Sequence, residues 1–128
     1  MATPDAMGMV VRDMAATLAF YRLLGLDIPS QMDEEAHAEY ETASGFRLMW
    51  DSVALVQGFD PSYSPASGHA FALAFRCDSP QEVDDLYHKA LAAGHEGHLE
   101  PWDAFWGQRY ATLRDPDGNA VDLYAPLS

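Results

Sequence analysis

The sequence predicts an α+β protein made of two βαβββ modules, because the same order of elements occurs in each half of the chain. In each half, one amphipathic helix follows a short strand-like segment and is itself followed by three more strand-like segments. Asp13 and Asp78 precede the two helices and lie 65 residues apart, about half of the 128 residues. We therefore expect a first module at 1–57, a linker at 58–68 that is rich in Pro, Ser and Gly, and a second module at 69–128.

Both helices have clear boundary signals. The first begins after Asp13, a favourable N-cap, and ends at Gly25. The second begins at the capping box formed by Ser79 and Glu82 and ends at Gly94. Each helix has an apolar stripe, which consists of Met14, Leu18, Tyr21 and Leu24 in the first and of Val83, Leu86, Tyr87, Ala90 and Leu91 in the second.

The strands are predicted from short segments that are either apolar throughout or alternate between apolar and polar residues. The Asp-Pro-Asp-Gly-Asn sequence at 115–119 supplies the turn between the last two strands. The predicted strands are 8–11, 26–28, 38–42 and 46–50 in the first half, with 53–57 as a further candidate, and 69–77, 95–100, 107–113 and 120–124 in the second half.

Composition and charge limit the partners and the cellular location that we expect for this protein. Seven basic against twenty acidic residues give a net charge of −13, which argues against nucleic acid as a partner. The longest apolar run, 70–75, is far too short to cross a membrane, and the N-terminus lacks the features of a secretion signal. Cys77 is the only cysteine, and its place on the core side of its strand predicts an inert thiol. We expect a cytoplasmic protein without a membrane partner.

Two pairs of segments resemble the glyoxalase, bleomycin-resistance and dioxygenase superfamily, also called vicinal oxygen chelate. Within it the chain is most similar to the resistance proteins that bind mitomycin and bleomycin. The resemblance implies paired modules that curl into a cupped mixed sheet, in a homodimer that exchanges modules and binds ligands in clefts at its interface. The superfamily segments are 11–14 with 19–22 and 106–110 with 115–119, and the similarity to the drug-binding members rests on His37, 47–51, 97–102 and 121–126.

Metal-dependent members of the superfamily place a ligand on the first and last strand of each module. The repeat maps these four positions to Ala6, Met49, Ala72 and Asp122, of which only Asp122 can ligate. One carboxylate does not hold a catalytic transition metal, so we expect neither a metal nor another cofactor. Asp122 is then either a solvated strand carboxylate or a group in the cleft that attracts a cationic or hydrogen-bond-donating ligand.

The aromatic residues before the last hairpin suggest a binding surface. Trp102 and Trp106 are predicted on a loop, where Trp106 stacks on a ligand, as the resemblance also implies; a dimer contact or plain packing is the alternative. In the strand 69–77, large residues occupy one face and alanines the other, which leaves space for a bulky ligand or for close packing. Further candidates are Tyr110 beside these tryptophans and, for an opposite wall, His37, Tyr40, Trp50 and Phe59.

These observations predict a metal-free homodimer that sequesters a planar aromatic antibiotic or related natural product. No nucleophile elbow, phosphate loop or Cys-His signature is present, so no catalytic residue is assigned. The alternatives are a metal-dependent or metal-free lyase, isomerase or dioxygenase of the superfamily, and an accessory protein without a drug ligand. The acidic residues are a solvated face or a rim that steers a cationic ligand.

Overall fold

The computed structural model describes residues 3–65 and 71–128, which form three helices, a 3₁₀ helix and seven strands. The chain divides into two compact units, Met1–Ala66 and Ser67–Ser128. The α+β class is confirmed, with two mixed sheets whose arrangement is consistent with a pair of βαβββ modules. None of the helices in the described part of the chain is long and apolar enough to span a membrane.

The first unit consists of β1 (Ala6–Val11), α1 (Met14–Leu23), a 3₁₀ helix (Ser30–Glu34), β2 (His37–Glu41), β3 (Arg47–Ser52) and α2 (Val53–Phe59). Its sheet has the order β1-β3-β2, in which β1 and β3 are parallel and β2 and β3 are antiparallel. The predicted cap of α1 is confirmed, since the Asp13 side chain accepts a hydrogen bond from the Ala16 backbone. Fully buried side chains form its core: Val11, Leu18, Phe20, Tyr21 and Trp50.

The second unit consists of β4 (Ala72–Arg76), α3 (Pro80–Ala92), β5 (Glu96–Ala104), β6 (Gln108–Arg114) and β7 (Ala120–Pro126). Its sheet has the order β4-β7-β6-β5, and α3 packs on β5, β6 and β7. The predicted N-cap is confirmed, because the Ser79 side chain accepts from the Glu82 backbone, while the Glu82 carboxylate accepts from Asp78. The core contains Val83, Leu113, Val121 and Leu123.

The two sheets share their order except at one edge. In each, the first strand pairs in parallel with the last, and the last pairs antiparallel with the strand before it. β5 continues the second sheet, whereas residues 3–65 contain no strand in the corresponding place. The strand predicted at 26–28 is therefore wrong. The Arg22 guanidinium donates hydrogen bonds to the carbonyls of Ile28 and Pro29 at 2.7 and 2.8 Å, and it also forms an ion pair with Asp33. This segment is therefore hydrogen-bonded to a side chain of α1 and not to a sheet.

Three further predictions differ from the structure. The candidate strand at 53–57 is wrong, because Ser52 caps a helix there by accepting a hydrogen bond from Leu55 at 3.1 Å. The helix continues to Phe59, so the first two residues of the predicted linker are helical. The sequence predicts Trp102 on a loop, but β5 extends to Ala104, so that of the two tryptophans only Trp106 lies in the turn. Residues 66–70, which include His69 and Ala70 of the predicted strand, lie outside the described residues.

Candidate ligand-binding site

Four aromatic side chains of the second unit meet at the turn between β5 and β6. Trp106 is at their centre, with ring centroids 5.4 Å from Trp102, 5.0 Å from Phe105 and 5.3 Å from Tyr110. All three contacts are edge-to-face, with interplanar angles between 80° and 88°, a favoured geometry for aromatic pairs. Phe105 is 90% exposed and Trp106 48% exposed. We call these four residues the aromatic cluster.

The hairpin formed by β5 and β6 positions the aromatic cluster. Trp102 on β5 lies opposite Tyr110 on β6, and the intervening turn is closed by a 3.0 Å hydrogen bond from the Gly107 backbone to the Ala104 carbonyl. Gly107 has φ 93°, a left-handed conformation that glycine adopts without steric cost. The Trp106 indole N–H donates to the Gln108 Oε1 atom at 2.8 Å, which fixes the orientation of a side chain that is half exposed.

Tyr110 connects the aromatic cluster to a carboxylate on β7. Its hydroxyl donates to Asp122 Oδ2, and Thr112 Oγ1 donates to Asp122 Oδ1 at 2.9 Å. Burial, assisted by the hydrogen bond to Asp122 and its charge, raises the pKa of Tyr110 to about 12, so this hydroxyl keeps its proton at neutral pH. Asp122 is half-buried, and both of its oxygens are held by hydroxyl donors.

Small residues lie beside this carboxylate. Ala74 on β4 pairs with Asp122, and the exposed Ala72 shares its face of the sheet. The intervening Leu73 and the following Phe75 have the opposite parity and are half-buried. The alternation of large and small residues along β4 agrees with the sequence interpretation, and it leaves the face beside Asp122 without bulky β4 side chains between 71 and 76 apart from Arg76.

The first-unit candidates do not form one surface. His37 and Tyr40 differ in parity along β2, so their side chains point to opposite faces of the sheet. Trp50 is completely buried, and its ring lies 5.4 Å from Tyr21. The assignment of Trp50 to a ligand wall is therefore wrong, because the residue belongs to the core. Phe59 is 73% exposed at the end of α2.

His37 is held between two carboxylates. Its Nδ1 atom bonds to Asp51 and its Nε2 atom to Glu39, the latter at 2.9 Å. The hydrogen bond to Asp51, followed by the one to Glu39, raises the pKa of His37 above its ordinary value of 6.5. The hydrogen bond between His37 and Glu39 also lowers the pKa of Glu39. Because both ring nitrogens face acceptors, the imidazolium form is favoured here.

We expect His37 to make the protein more stable at mildly acidic pH. Since its pKa in the folded protein is raised, its stabilising contribution is complete below about 6.5, the ordinary value, and is lost as the pH rises through the folded-state pKa. NMR titration of the imidazole should give a pKa above 6.5 that falls in Asp51→Asn. Glu41→Gln, on the same strand but without a bond to His37, should leave the titration unchanged, and an Asp51→Asn titration identical to wild type would contradict this assignment.

The residues at the four superfamily metal positions do not fit a metal ion. The strand register pairs Met49 with Gly8 and Asp122 with Ala74. Neither Gly8 nor Ala74 has a side-chain donor atom for a metal. The same is true of Ala6 and Ala72, the first-strand positions that the repeat predicts. Both Asp122 oxygens already accept hydroxyl hydrogen bonds. Across residues 3–65 and 71–128, no three His, Cys, Asp or Glu side chains are grouped to hold a metal.

Cys77 agrees with its interpretation as a core thiol. It is buried, and burial together with the nearby charges of Glu82 and Asp78 raises its pKa to about 11. The thiol therefore stays protonated at neutral pH and is a poor nucleophile.

The sequence interpretation missed two contributors to this site, Thr112 and Gln108. They alternate with Tyr110 along β6, so a period of two would place all three on the same face as Asp122. The strand pairing that brings Thr112 opposite Asp122 could not be derived from that period alone, because it depends on the length of the β6–β7 turn.

The second unit thus combines a four-stranded mixed sheet with the aromatic cluster at the β5–β6 turn and a carboxylate on β7. The family profile described as Glyoxalase/Bleomycin resistance protein/Dioxygenase superfamily matches residues 3–123, and the chain belongs to this superfamily. Comparison with curated proteins gave no match.

Solved structures agree with this assignment. A glyoxalase/bleomycin resistance protein/dioxygenase family enzyme from Burkholderia phytofirmans PsJN is 25% identical with a TM-score of 0.79, and the alignment covers 98% of this chain and 100% of that one. A glyoxalase/bleomycin resistance protein/dioxygenase from Nocardioides is 26% identical with a TM-score of 0.75, covering 100% and 85%. A glyoxalase-related enzyme from Fulvimarina pelagi, 22% identical over 98% and 88%, shares the fold with a TM-score of 0.81.

Proposed function

We propose that this protein binds and sequesters a planar aromatic natural product, such as an antibiotic, without a metal ion. The observation that carries the proposal is the aromatic cluster, in which Trp106 is held by Gln108 and three rings yet keeps 48% of its surface exposed. Exposed tryptophan that is fixed in orientation is a good stacking surface, because little side-chain entropy is lost when a ligand binds.

The expected affinity is reached without covalent chemistry. A planar ligand that buries about 300 Å² of apolar surface gains roughly 7 kcal/mol, and each aromatic contact adds about 0.5–1.5 kcal/mol. Several kcal/mol are lost with the rigid-body freedom of the ligand, which leaves an affinity of about micromolar. Stacking and shape are therefore sufficient for a sequestering role.

Similarity to the mitomycin- and bleomycin-binding proteins and a homodimer with clefts at its interface are part of the proposal. The similarity is supported by the segments around His37, 47–51, 97–102 and 121–126, and the family description includes bleomycin resistance proteins. Light scattering should give twice the mass of the 14.1 kDa chain, and a monomer at all concentrations would reject the dimer.

The test of sequestration is calorimetric titration with a panel of planar aromatic antibiotics. For a compound that binds, Trp106→Ala should weaken affinity by more than about 1 kcal/mol, a factor of about five, because the stacking surface is lost. The control is Phe46→Ala, which removes a partly exposed aromatic ring of the first unit. Equal affinity of Trp106→Ala and wild type would reject the stacking role, and absence of binding across the panel would reject the proposal.

A second candidate is a lyase, isomerase or dioxygenase, favoured by the description of the Burkholderia phytofirmans relative as an enzyme and by the Tyr110–Asp122 contact. Mass spectrometry and chromatography of a bound compound, recovered after incubation, distinguish the two. An unchanged compound supports sequestration, and a new mass or isomer that requires the folded protein supports catalysis.

A further inference from the structure

The carboxylates around the second sheet differ in whether they have a cationic partner. Asp84 and Asp103 both pair with Arg109, and Glu96 pairs with Arg114. Among the described residues of its own unit, 71–128, Asp122 has no ion pair and is bonded only to the neutral hydroxyls of Tyr110 and Thr112. Within that unit it is thus a half-buried carboxylate without a cationic partner.

Asp122 has acceptor capacity left for a ligand. An ionised carboxylate has about four acceptor sites, and the two hydroxyl donors use two of them. Its neighbour on β4 is Ala74, which is exposed and has only a methyl group as its side chain. Arg76, the next residue on this face of β4, pairs in the register with Tyr124 and forms no ion pair with Asp122.

The aromatic cluster lies one tyrosine side chain away from this carboxylate. The Tyr110 ring contacts Trp106 at 5.3 Å, and its hydroxyl reaches Asp122. An aromatic ligand stacked on Trp106 would therefore place a substituent about one ring length away beside Asp122. A protonated amine is favoured there over a neutral donor, because it neutralises a partly desolvated charge and is also attracted by the faces of tyrosine and tryptophan rings.

We propose that Asp122 is the subsite for a protonated amine of the aromatic ligand, so that the site selects planar aromatic amines over neutral or acylated analogues. This inference rests on the proposed function, since it assumes that the ring of the ligand stacks on Trp106. Thr112 and Tyr110 act as positioning residues, because their hydroxyls orient the carboxylate.

The experiment compares 2-(2-naphthyl)ethylamine, which is cationic at neutral pH, with its neutral N-acetyl derivative. Wild type should bind the amine at least about tenfold more tightly, the factor expected for a charge-assisted hydrogen bond. In Asp122→Asn this preference should disappear, while affinity for the amide changes by less than about threefold. Asp103→Asn, which removes a carboxylate already paired with Arg109, should keep the preference.

Each other outcome is decisive. Equal binding of amine and amide, both weakened by Trp106→Ala, would overturn the amine subsite and leave the stacking function intact. Failure of both probes to bind would overturn the subsite, and the antibiotic panel decides the stacking function separately. If Asp122→Asn does not fold, the wild-type preference is tested by salt: amine binding should weaken with ionic strength while amide binding does not, and an equal response would overturn the subsite.

Discussion

Replacement of Trp50 by alanine should lower the free energy of unfolding by about 3–5 kcal/mol, the range for removing a large buried aromatic side chain. Trp50 has no exposed surface, and its ring packs 5.4 Å from Tyr21 in the core of the first unit. The substitution leaves a cavity that Tyr21 and the surrounding core cannot fill without moving. Urea unfolding followed by far-ultraviolet circular dichroism measures the loss.

Two other substitutions serve as controls for Trp50. Trp106→Ala should cost less than about 1 kcal/mol, because about half of that side chain is already exposed. Trp50→Phe should cost less than Trp50→Ala, because it retains a ring and removes a buried indole N–H that has no hydrogen-bond partner within the described residues. Equal losses for Trp50→Ala and Trp106→Ala would show that Trp50 is not the core residue described here.

Asp115→Ala should destabilise the protein by about 2–4 kcal/mol, because a buried acceptor is removed from several donors. The side chain is 4% exposed, and it accepts hydrogen bonds from the Asp117 backbone at 3.0 Å, the Asn119 backbone at 2.9 Å and the Asn119 amide at 3.0 Å. Those three N–H groups shape the turn between β6 and β7. Without the Asp115 carboxylate these three N–H groups have no acceptor in the turn. The turn then no longer fixes the pairing of β6 with β7 that places Thr112 opposite Asp122.

The matched control for Asp115 is Asp60→Ala. Asp60 makes a similar local turn by accepting from the Ser62 backbone and hydroxyl, but it is exposed, so water replaces the lost bonds. Thermal unfolding should shift strongly for Asp115→Ala and little for Asp60→Ala. Similar melting temperatures for the two variants would contradict the role of burial.

The helices were predictable because their signals are local. Asp13 and Ser79 cap the two long helices with their own side chains, and no distant residue is needed to recognise either start. The same rule, applied to Ser52, would have identified α2 in place of a strand. The segment at 26–28 is different, since it is held by the Arg22 side chain, a contact that depends on how the chain turns after α1.

The candidate site was partly predictable. The dense aromatic sequence and the resemblance singled out Trp106, Tyr110 and Asp122, which the structure links through ring contacts and a hydrogen bond. Thr112 required the pairing of β6 with β7. The error at Trp50 was avoidable, because it shares its strand parity with Leu48, which is also buried, and such alternation marks the core side of a strand.

The shielded state of Cys77 makes the native chain a convenient background for site-directed labelling. Since this sole thiol is buried and protonated at neutral pH, an added surface cysteine would be the one that maleimide dyes modify. Position 105, the most exposed member of the aromatic cluster, would place such a fluorophore next to Trp106 without first deleting the natural cysteine.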